Sequence, residues 1–260
     1  MHPLINKQLV RDRFYRTLRS YSRHALVQKA MAAKLIEIIC QQEPGQSYER
    51  ILEVGSGSGA LMAELLGRCT VSTYYANDLV EESQSSLQEV LDRYPVGEFH
   101  FLAGDIERLE LLPSSLDMVV SNATVQWLHD LDGFFRKISD HLKPGGTVAV
   151  TTFGPSNMRE IATIEGVGLS YYTLGELELL AGRYFDISVS REETLRVEFT
   201  SPEAMLHHIR QTGVNGLLRR SWTKSRYLHF IAEYRRLFSC ENGVYLTYHP
   251  LYCCMKKRIS

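Results

Sequence analysis

The chain is 260 residues long, 44% hydrophobic, and carries a formal net charge of -1. That length suits one large single-core domain or a core with a lid, and the composition excludes disorder, collagen-like repeats and a coiled coil. No apolar run reaches the roughly 20 residues of a spanning helix, and residues 1–14 carry charges where a signal peptide has its apolar stretch, so a cytoplasmic protein is expected.

In chain order, residues 6–42 read as helical, with Leu26, Ala30, Ala33 and residues 36–39 toward one face, and Gln42, Pro44 and Gly45 ending the run. Strand and helix signals then alternate. Residues 50–54 are a short apolar strand leading into glycines, Ala60–Leu66 a helix, 71–77 a β-branched and aromatic strand, and 81–93 a helix charged on one side. Residues 98–102 and Leu116–Ser121 are further strands, 131–142 a helix, and 147–152 a strand behind a Pro144-Gly145-Gly146 turn. Such alternation predicts a parallel sheet with helices on both faces. After residue 155, segments 157–164 and 173–181 read as helices and 185–199 as one strand. Ser201-Pro202-Glu203 starts a helix over 202–212, another covers 223–239, Asn242-Gly243 is a turn, and 244–255 is a final strand. The chain reads as one domain: a helical cap over 1–45, a core over 46–155, and a helical insertion or lid over 200–242.

The net charge hides an uneven distribution. Residues 1–34 sum to +7, residues 35–209 to -16, residues 210–236 to +6 and residues 237–260 to +2. An acidic body with two basic attachments points to an acidic partner at the attachments, unless these are simply solvated helix faces. The five cysteines (Cys40, Cys69, Cys240, Cys253 and Cys254) show no C-x-x-C spacing, which argues against zinc and disulfides and for a reducing compartment. Cys253 and Cys254 are expected to be buried in a strand.

The strongest local signal is Glu53-Val54-Gly55-Ser56-Gly57-Ser58-Gly59-Ala60. Glycines directly after a strand allow a sharp turn and let a ligand lie against bare peptide. Taken as G-x-G-x-x-A, the segment also satisfies a dinucleotide fingerprint. Its companions separate the readings. Glu53 places a carboxylate beside the loop, awkward for a pyrophosphate but suited to a cationic ligand. Asp78 closes the second strand, where a carboxylate can accept both hydroxyls of a ribose. Asp105 and Ile106 follow the third strand, suited to an adenine amine and ring, and Asn122 follows the fourth.

These residues resemble the class I S-adenosylmethionine-dependent methyltransferases, whose first motif reads E-x-G-x-G-x-G. The resemblance implies a Rossmann-like α/β fold with a seven-stranded sheet and an antiparallel last strand. It implies S-adenosylmethionine as cofactor, with Tyr21, Glu53, Gly55, Gly57, Asp78, Leu79, Asp105, Ile106 and Asn122 around it. A narrower resemblance runs along nearly the whole chain. Asn6-Lys7, Arg13-Phe14, Tyr21, residues 27–32, Ser121-Asn122-Ala123-Thr124-Val125-Gln126-Trp127-Leu128, Thr151-Thr152-Phe153-Gly154, Gln211-Thr212-Gly213-Val214-Asn215 and Leu246-Thr247-Tyr248-His249 look like the malonyl-acyl-carrier-protein O-methyltransferases of biotin synthesis. Ser56 and Ser58 stand where Cys and Thr are commoner, and Ser22 where Asp is usual.

That resemblance implies methyl transfer to the carboxylate of a malonyl thioester. Such a carboxylate is ionised at neutral pH, so it needs alignment and water exclusion rather than a general base. Tyr21, Gln126 and Trp127 are the candidate walls and donors, and Arg13 or an arginine of the insertion could supply a cation. His249 reads as structural. A small free carboxylic acid is the alternative substrate, and an inactive cofactor-binding subunit would require an eroded glycine loop, which is not seen. An acidic acyl carrier protein fits the basic attachments; nucleic acid and membrane do not fit the strongly acidic body.

Overall fold

The computed structural model describes residues 5–43, 47–166, 169–212 and 223–259, with the side chains of 19–23 left out of the description. Its centre is a seven-stranded sheet in the order β3-β2-β1-β4-β5-β10-β6, built from β1 (Ser47–Val54), β2 (Thr70–Asp78), β3 (Glu98–Ala103), β4 (Leu116–Ser121), β5 (Leu142–Phe153), β6 (Phe185–Glu192) and β10 (Pro250–Lys257). Strands β1 to β5 pair in parallel, and β10 runs antiparallel to both β5 and β6. The expected α/β fold with an antiparallel last strand is therefore present.

The central strands are apolar along their length because both faces are covered. Ile51, Met118, Val120 and Ala149 point into one core, with helices α2 (Leu26–Gln42) and α3 (Ala60–Leu66) above them. Their alternating neighbours Leu52, Val119, Val148 and Val150 point into the other, under α5 (Leu131–His141) and α7 (Leu174–Ala181). Each such buried aliphatic side chain stabilises the fold by about 1.5–3 kcal/mol relative to exposure. Asp130 caps α5 and Thr173 caps α7, the latter in a capping box with Glu176. Helix α4 (Gln84–Arg93) and, beyond β5, α6 (Arg159–Glu165) complete the body.

Three expected elements divide. The helix over 6–42 is two helices, α1 (Lys7–His24) and α2, broken at Ala25, where φ is -79° and ψ 49°. Nothing in the local sequence breaks it; Ala25 is 1% exposed, and the turn sends α1 across the sheet's carboxyl edge while α2 packs on α3, β5 and β10. The strand over 185–199 is β6 and β7 (Leu195–Phe199), and the strand over 244–255 is β9 (Gly243–Tyr248) and β10. Pro250 lacks an N–H and restrains His249, so the chain changes sheets there. The expected turn at Asn242-Gly243 leads into β9, which pairs with β7 and with the two-residue β8 (Ser239–Cys240) in a separate antiparallel sheet. The insertion thus contains α8 (Pro202–Gln211) and α9 (Lys224–Phe238) on a small sheet, rather than helices alone. Ser201 caps α8 with Pro202 at its first position, as the sequence predicts.

His249 is structural in this arrangement. Its carbonyl accepts the Gly154 N–H at 2.8 Å and its Nδ1 accepts the Ser156 N–H at 3.1 Å, so the end of β5 is stapled to the β9–β10 crossing. Cys253 and Cys254 are buried in β10, and all five cysteines are free. Among the described residues no helix is long and apolar enough to cross a membrane.

Candidate active site

Strands β1 to β4 end on one crevice, the position at which open α/β sheets bind ligands, and α1 lies over it through Val10, Phe14 and Leu18. The glycine loop forms the floor. Gly55, at φ +77°, and Ser56 both donate their N–H groups to Asn77 O, at 2.8 and 3.0 Å. A Cβ on Gly55 would lie 2.1 Å from Thr124 Oγ1. Gly57, at φ +49°, donates its N–H to Asp78 Oδ2 at 2.7 Å, and a Cβ there would meet only Gly55 O at 4.0 Å, leaving room for a ligand.

The acids sit around this floor. Asp78 Oδ1 also accepts the Val80 N–H at 2.8 Å. Burial pushes its carboxyl up to about 6, against the downward pull of those two N–H groups. Glu53 is 1% exposed and accepts the Tyr74 hydroxyl on Oε2 at 2.7 Å. Burial pushes its carboxyl up to about 8, although hydrogen bonds from Tyr74 and Ser56 pull the other way. Asp105 Oδ1 accepts the Lys7 ammonium at 2.5 Å and the Glu107 N–H at 3.1 Å; its Oδ2 has the Arg108 guanidinium at 3.9 Å. Lys7 also reaches Glu107, so the start of α1 is tied to the loop after β3. Leu79 and Ile106 line the crevice beside these acids.

At the β4 end, Asn122 joins three elements. Its Nδ2 donates to Gln28 O of α2 at 2.9 Å, and its Oδ1 accepts the Thr151 hydroxyl of β5 at 2.6 Å. Ala123 follows at φ +50°, a costly conformation for a residue with a Cβ, held by N–H bonds to Thr151 O at 3.1 Å and Oγ1 at 2.9 Å. Trp127 is 8% exposed, lines the crevice and meets the Phe14 ring edge-on at 5.9 Å.

Most of the sequence candidates therefore converge, with two exceptions. Gln126 does not line this crevice; it borders a smaller adjoining pocket, with Nε2 donating to Ala123 O at 2.6 Å and Oε1 accepting the Thr152 hydroxyl at 3.0 Å. Tyr21 belongs to α1, but its side chain lies outside the described residues. Lys7, Phe14, Lys29 and Thr124 line the crevice without having been assigned a role from sequence. Lys7, Phe14 and Thr124 belong to segments that carry the narrower resemblance, but their place in the crevice follows from the α1 fold-over and from the approach of Thr124 to Gly55.

The result is an acid-floored crevice with apolar walls, suited to a ligand that joins a cation to a polyhydroxylated ring. Several solved structures share the fold: the YcgJ protein of Bacillus subtilis, at TM-score 0.62 and 14% identity over 87% of this chain and 99% of that one, and Haemonchus contortus phosphoethanolamine N-methyltransferase 2 in complex with S-adenosyl-L-methionine, at TM-score 0.53 and 19% identity over 87% and 52%. A family model described as a methyltransferase domain matches residues 52–150. Along the whole chain, the malonyl-[acyl-carrier protein] O-methyltransferase of Chlorobium luteolum is 49% identical over 99% of this chain and 98% of its own length. That of Prosthecochloris aestuarii is 48% identical over 97% and 94%. The chain belongs to the malonyl-[acyl-carrier protein] O-methyltransferase family. Members of this family share more than the glycine loop with it, because the matched length also includes α1 and the insertion. The chain is accordingly an S-adenosylmethionine-dependent methyltransferase.

Proposed function

We propose that this protein transfers a methyl group from S-adenosylmethionine to the free carboxylate of malonyl-acyl carrier protein, giving the methyl ester that primes pimeloyl synthesis for biotin. The observation that carries this reading is the near-full-length identity to malonyl-[acyl-carrier protein] O-methyltransferases, which extends through the elements covering the crevice.

The residues present fit S-adenosylmethionine. The open space above Gly57 admits a ligand against bare backbone, and Glu53 offers a counter-charge beside the loop. Each oxygen of Asp78 accepts one N–H and keeps lone-pair capacity for a ribose hydroxyl. Asp105 Oδ2 and Ile106 serve the adenine amine and ring, Leu79 packs beside them, and Asn122 shapes the methionine end. When bound, the cofactor supplies a methyl group on a sulfonium, a leaving group that departs as a neutral thioether. The carboxylate forms a C–O bond as the C–S bond breaks, and no proton is transferred. The protein therefore supplies alignment and a dry site. Phe14 and Trp127 form the apolar wall, and the Ala123–Gln126–Thr152 bonds hold the turn carrying Trp127 in place.

Mass spectrometry of malonyl-carrier protein incubated with enzyme and S-adenosylmethionine tests this reading. A gain of one methyl group, lost on alkaline ester hydrolysis, is expected; transfer to free diacids but to no malonyl thioester refutes it. The five free thiols, without C-x-x-C spacing, support a cytoplasmic location.

A basic rim formed by the insertion would dock the acidic carrier. Much of the local basic charge is paired within the chain: Arg226 with Glu165, Arg235 with Glu203, and Arg236 with Glu233. Arg210 and Lys224 are exposed, whereas Arg219 and Arg220 lie outside the described residues. Changing Arg219, Arg220 and Lys224 together to Glu is expected to raise KM for malonyl-carrier protein about tenfold or more while malonyl-coenzyme A shifts by about twofold or less. Equal losses on both substrates would return those charges to simple solvation.

A further inference from the structure

A second pocket adjoins the crevice at the end of β5, bordered by Gln126, His129, Thr152, Phe153, Leu169 and Tyr171. Among the described residues it shares only Leu128 with the crevice, so it borders the cofactor's space without being part of it. The strand order gives this pocket a meaning. The ends of β3, β2, β1 and β4 carry the sites assigned above to adenine, ribose and the methionine part, and β5 is the next strand in the sheet. With those four ends taken, the methyl acceptor is left the β5 side, and this pocket is the concave space there.

Two polar side chains of the pocket keep an unused donor. Gln126 Nε2 gives one N–H to Ala123 O at 2.6 Å, and its second has no acceptor among the described residues. Tyr171 is half-buried, with its hydroxyl 2.9 Å from Asn157 Nδ2. A third group fixes the direction of that bond: Asn157 Oδ1 faces the His249 N–H at 3.4 Å, so the amide nitrogen is turned to the phenol. The Tyr171 oxygen therefore accepts, and its own proton has no acceptor among the described residues. Burial pushes this phenol up to about 12, against the pull of Asn157, so it remains a donor at neutral pH. The rest of the lining offers no strong charge. The Thr152 hydroxyl is given to Gln126 Oε1, His129 Nε2 is held against Ile5 O at 2.6 Å, and no Lys, Arg, Asp or Glu lines the pocket among the described residues.

Neutral donors in an uncharged pocket suit a neutral acceptor oxygen. A carboxylate buried there would lack the counter-charge its desolvation demands. The malonyl carboxylate finds that charge in the sulfonium, on the crevice side. The neutral remainder of the substrate (a methylene, a thioester carbonyl and an amide-bearing arm) then extends away from the crevice. We infer that the pocket at the end of β5 takes the thioester end of the substrate, with the Tyr171 hydroxyl donating to the thioester carbonyl, and so makes the enzyme select a thioester over a free diacid. This rests on the function proposed above, and its test separates the two.

Malonyl-pantetheine is compared with the carboxyethyl thioether of pantetheine, which keeps the carboxylate and the arm but lacks the carbonyl. Binding of each is measured by calorimetry in the presence of S-adenosylhomocysteine, which blocks turnover. The unaltered protein is expected to prefer the thioester about five- to tenfold, the range of one neutral hydrogen bond. Tyr171→Phe should bring that preference below about twofold, with S-adenosylhomocysteine affinity unchanged. Leu169→Trp narrows the same pocket from a half-buried position. It should weaken malonyl-pantetheine about tenfold or more, again with S-adenosylhomocysteine affinity unchanged.

Equal binding of thioester and thioether by the unaltered protein, or a preference that survives in Tyr171→Phe, overturns the assignment while the function stands. Full affinity for malonyl-pantetheine in Leu169→Trp does the same, by placing the arm elsewhere. Loss of S-adenosylhomocysteine binding in Tyr171→Phe overturns it by making the phenol structural. An unaltered protein that binds no malonyl thioester at all overturns the functional reading, and this inference with it.

Discussion

Gly55→Ala is expected to abolish S-adenosylmethionine binding and to lower folding stability by about 2–4 kcal/mol, combining left-handed backbone strain with overpacking. Gly55 has φ +77°, and a methyl there would meet Thr124 Oγ1 at 2.1 Å, Cγ2 at 2.5 Å and Cβ at 2.7 Å. Rotating Thr124 exchanges one clashing atom for another, so the adjustment must come from backbone. That backbone leads from Asn122, whose side chain ties α2 and β5 together, so the disturbance spreads across the mouth of the crevice. Gly57→Ala supplies the contrast. Its methyl would find open space, so only the strain of about 1–2 kcal/mol remains, yet the methyl occupies the ligand's side of the loop. Urea denaturation should therefore separate the two variants, whereas calorimetric titration with S-adenosylmethionine should show binding lost in both. Wild-type stability for Gly55→Ala would contradict the close approach of Thr124.

Glu53→Gln is expected to stabilise the empty protein at alkaline pH while weakening S-adenosylmethionine binding about 100-fold or more, roughly the 2.7 kcal/mol of two decades. In the folded chain, burial holds this carboxyl at about 8, above its ordinary 4.5. The folded state then binds the proton more tightly than the unfolded state, so stability falls as pH rises between those values. The penalty is complete above about pH 8 and absent below about pH 4.5, and reaches about 4–5 kcal/mol at full ionisation. Gln keeps the acceptor for the Tyr74 hydroxyl and removes the titration. Denaturation of the empty variant should accordingly lose most of its slope between pH 6 and pH 8. A residual slope below about pH 6 belongs to Asp78, whose carboxyl is raised in the same direction to about 6. A bound cation draws Glu53 into its ionised form, so binding at pH 7 should release close to one proton from the natural protein and close to none from the variant. Calorimetry in buffers of different ionisation enthalpy measures this; equal proton release in both would place the effect elsewhere.

These two residues illustrate what a sequence exposes readily. Glu53, the glycines, Asp78 and Asp105 were recognisable because each lies within a few residues of a strand end, and strand ends are marked by local apolar runs. Parallel order then brings them to one edge without further information. Gln126 was recognisable as part of the same segment but not in its role, because its amide is committed to Ala123 and Thr152 by the close approach of β4 and β5. The crossing at His249 and Pro250 was also locally written, since proline cannot continue a ladder as donor. The break between β6 and β7 was not, having neither Gly nor Pro.

Local pattern thus sufficed for the α/β class, a final strand and the acidic floor of the crevice, because hydrophobic period, turn residues and strand-end acids are short-range properties; the antiparallel direction of that strand came from the family resemblance. Only the folded chain decided that the amino-terminal helix breaks at Ala25 and lies over the crevice. The reason is physical: Ala25 has no intrinsic preference against helix, and its conformation is imposed by burying α1 and α2 on different parts of the body. From that one bend follow the pairing of Lys7 with Asp105 and the wall of Phe14 on Trp127. Each of these joins residues far apart in the chain, where spacing along the sequence carries no information about distance in space.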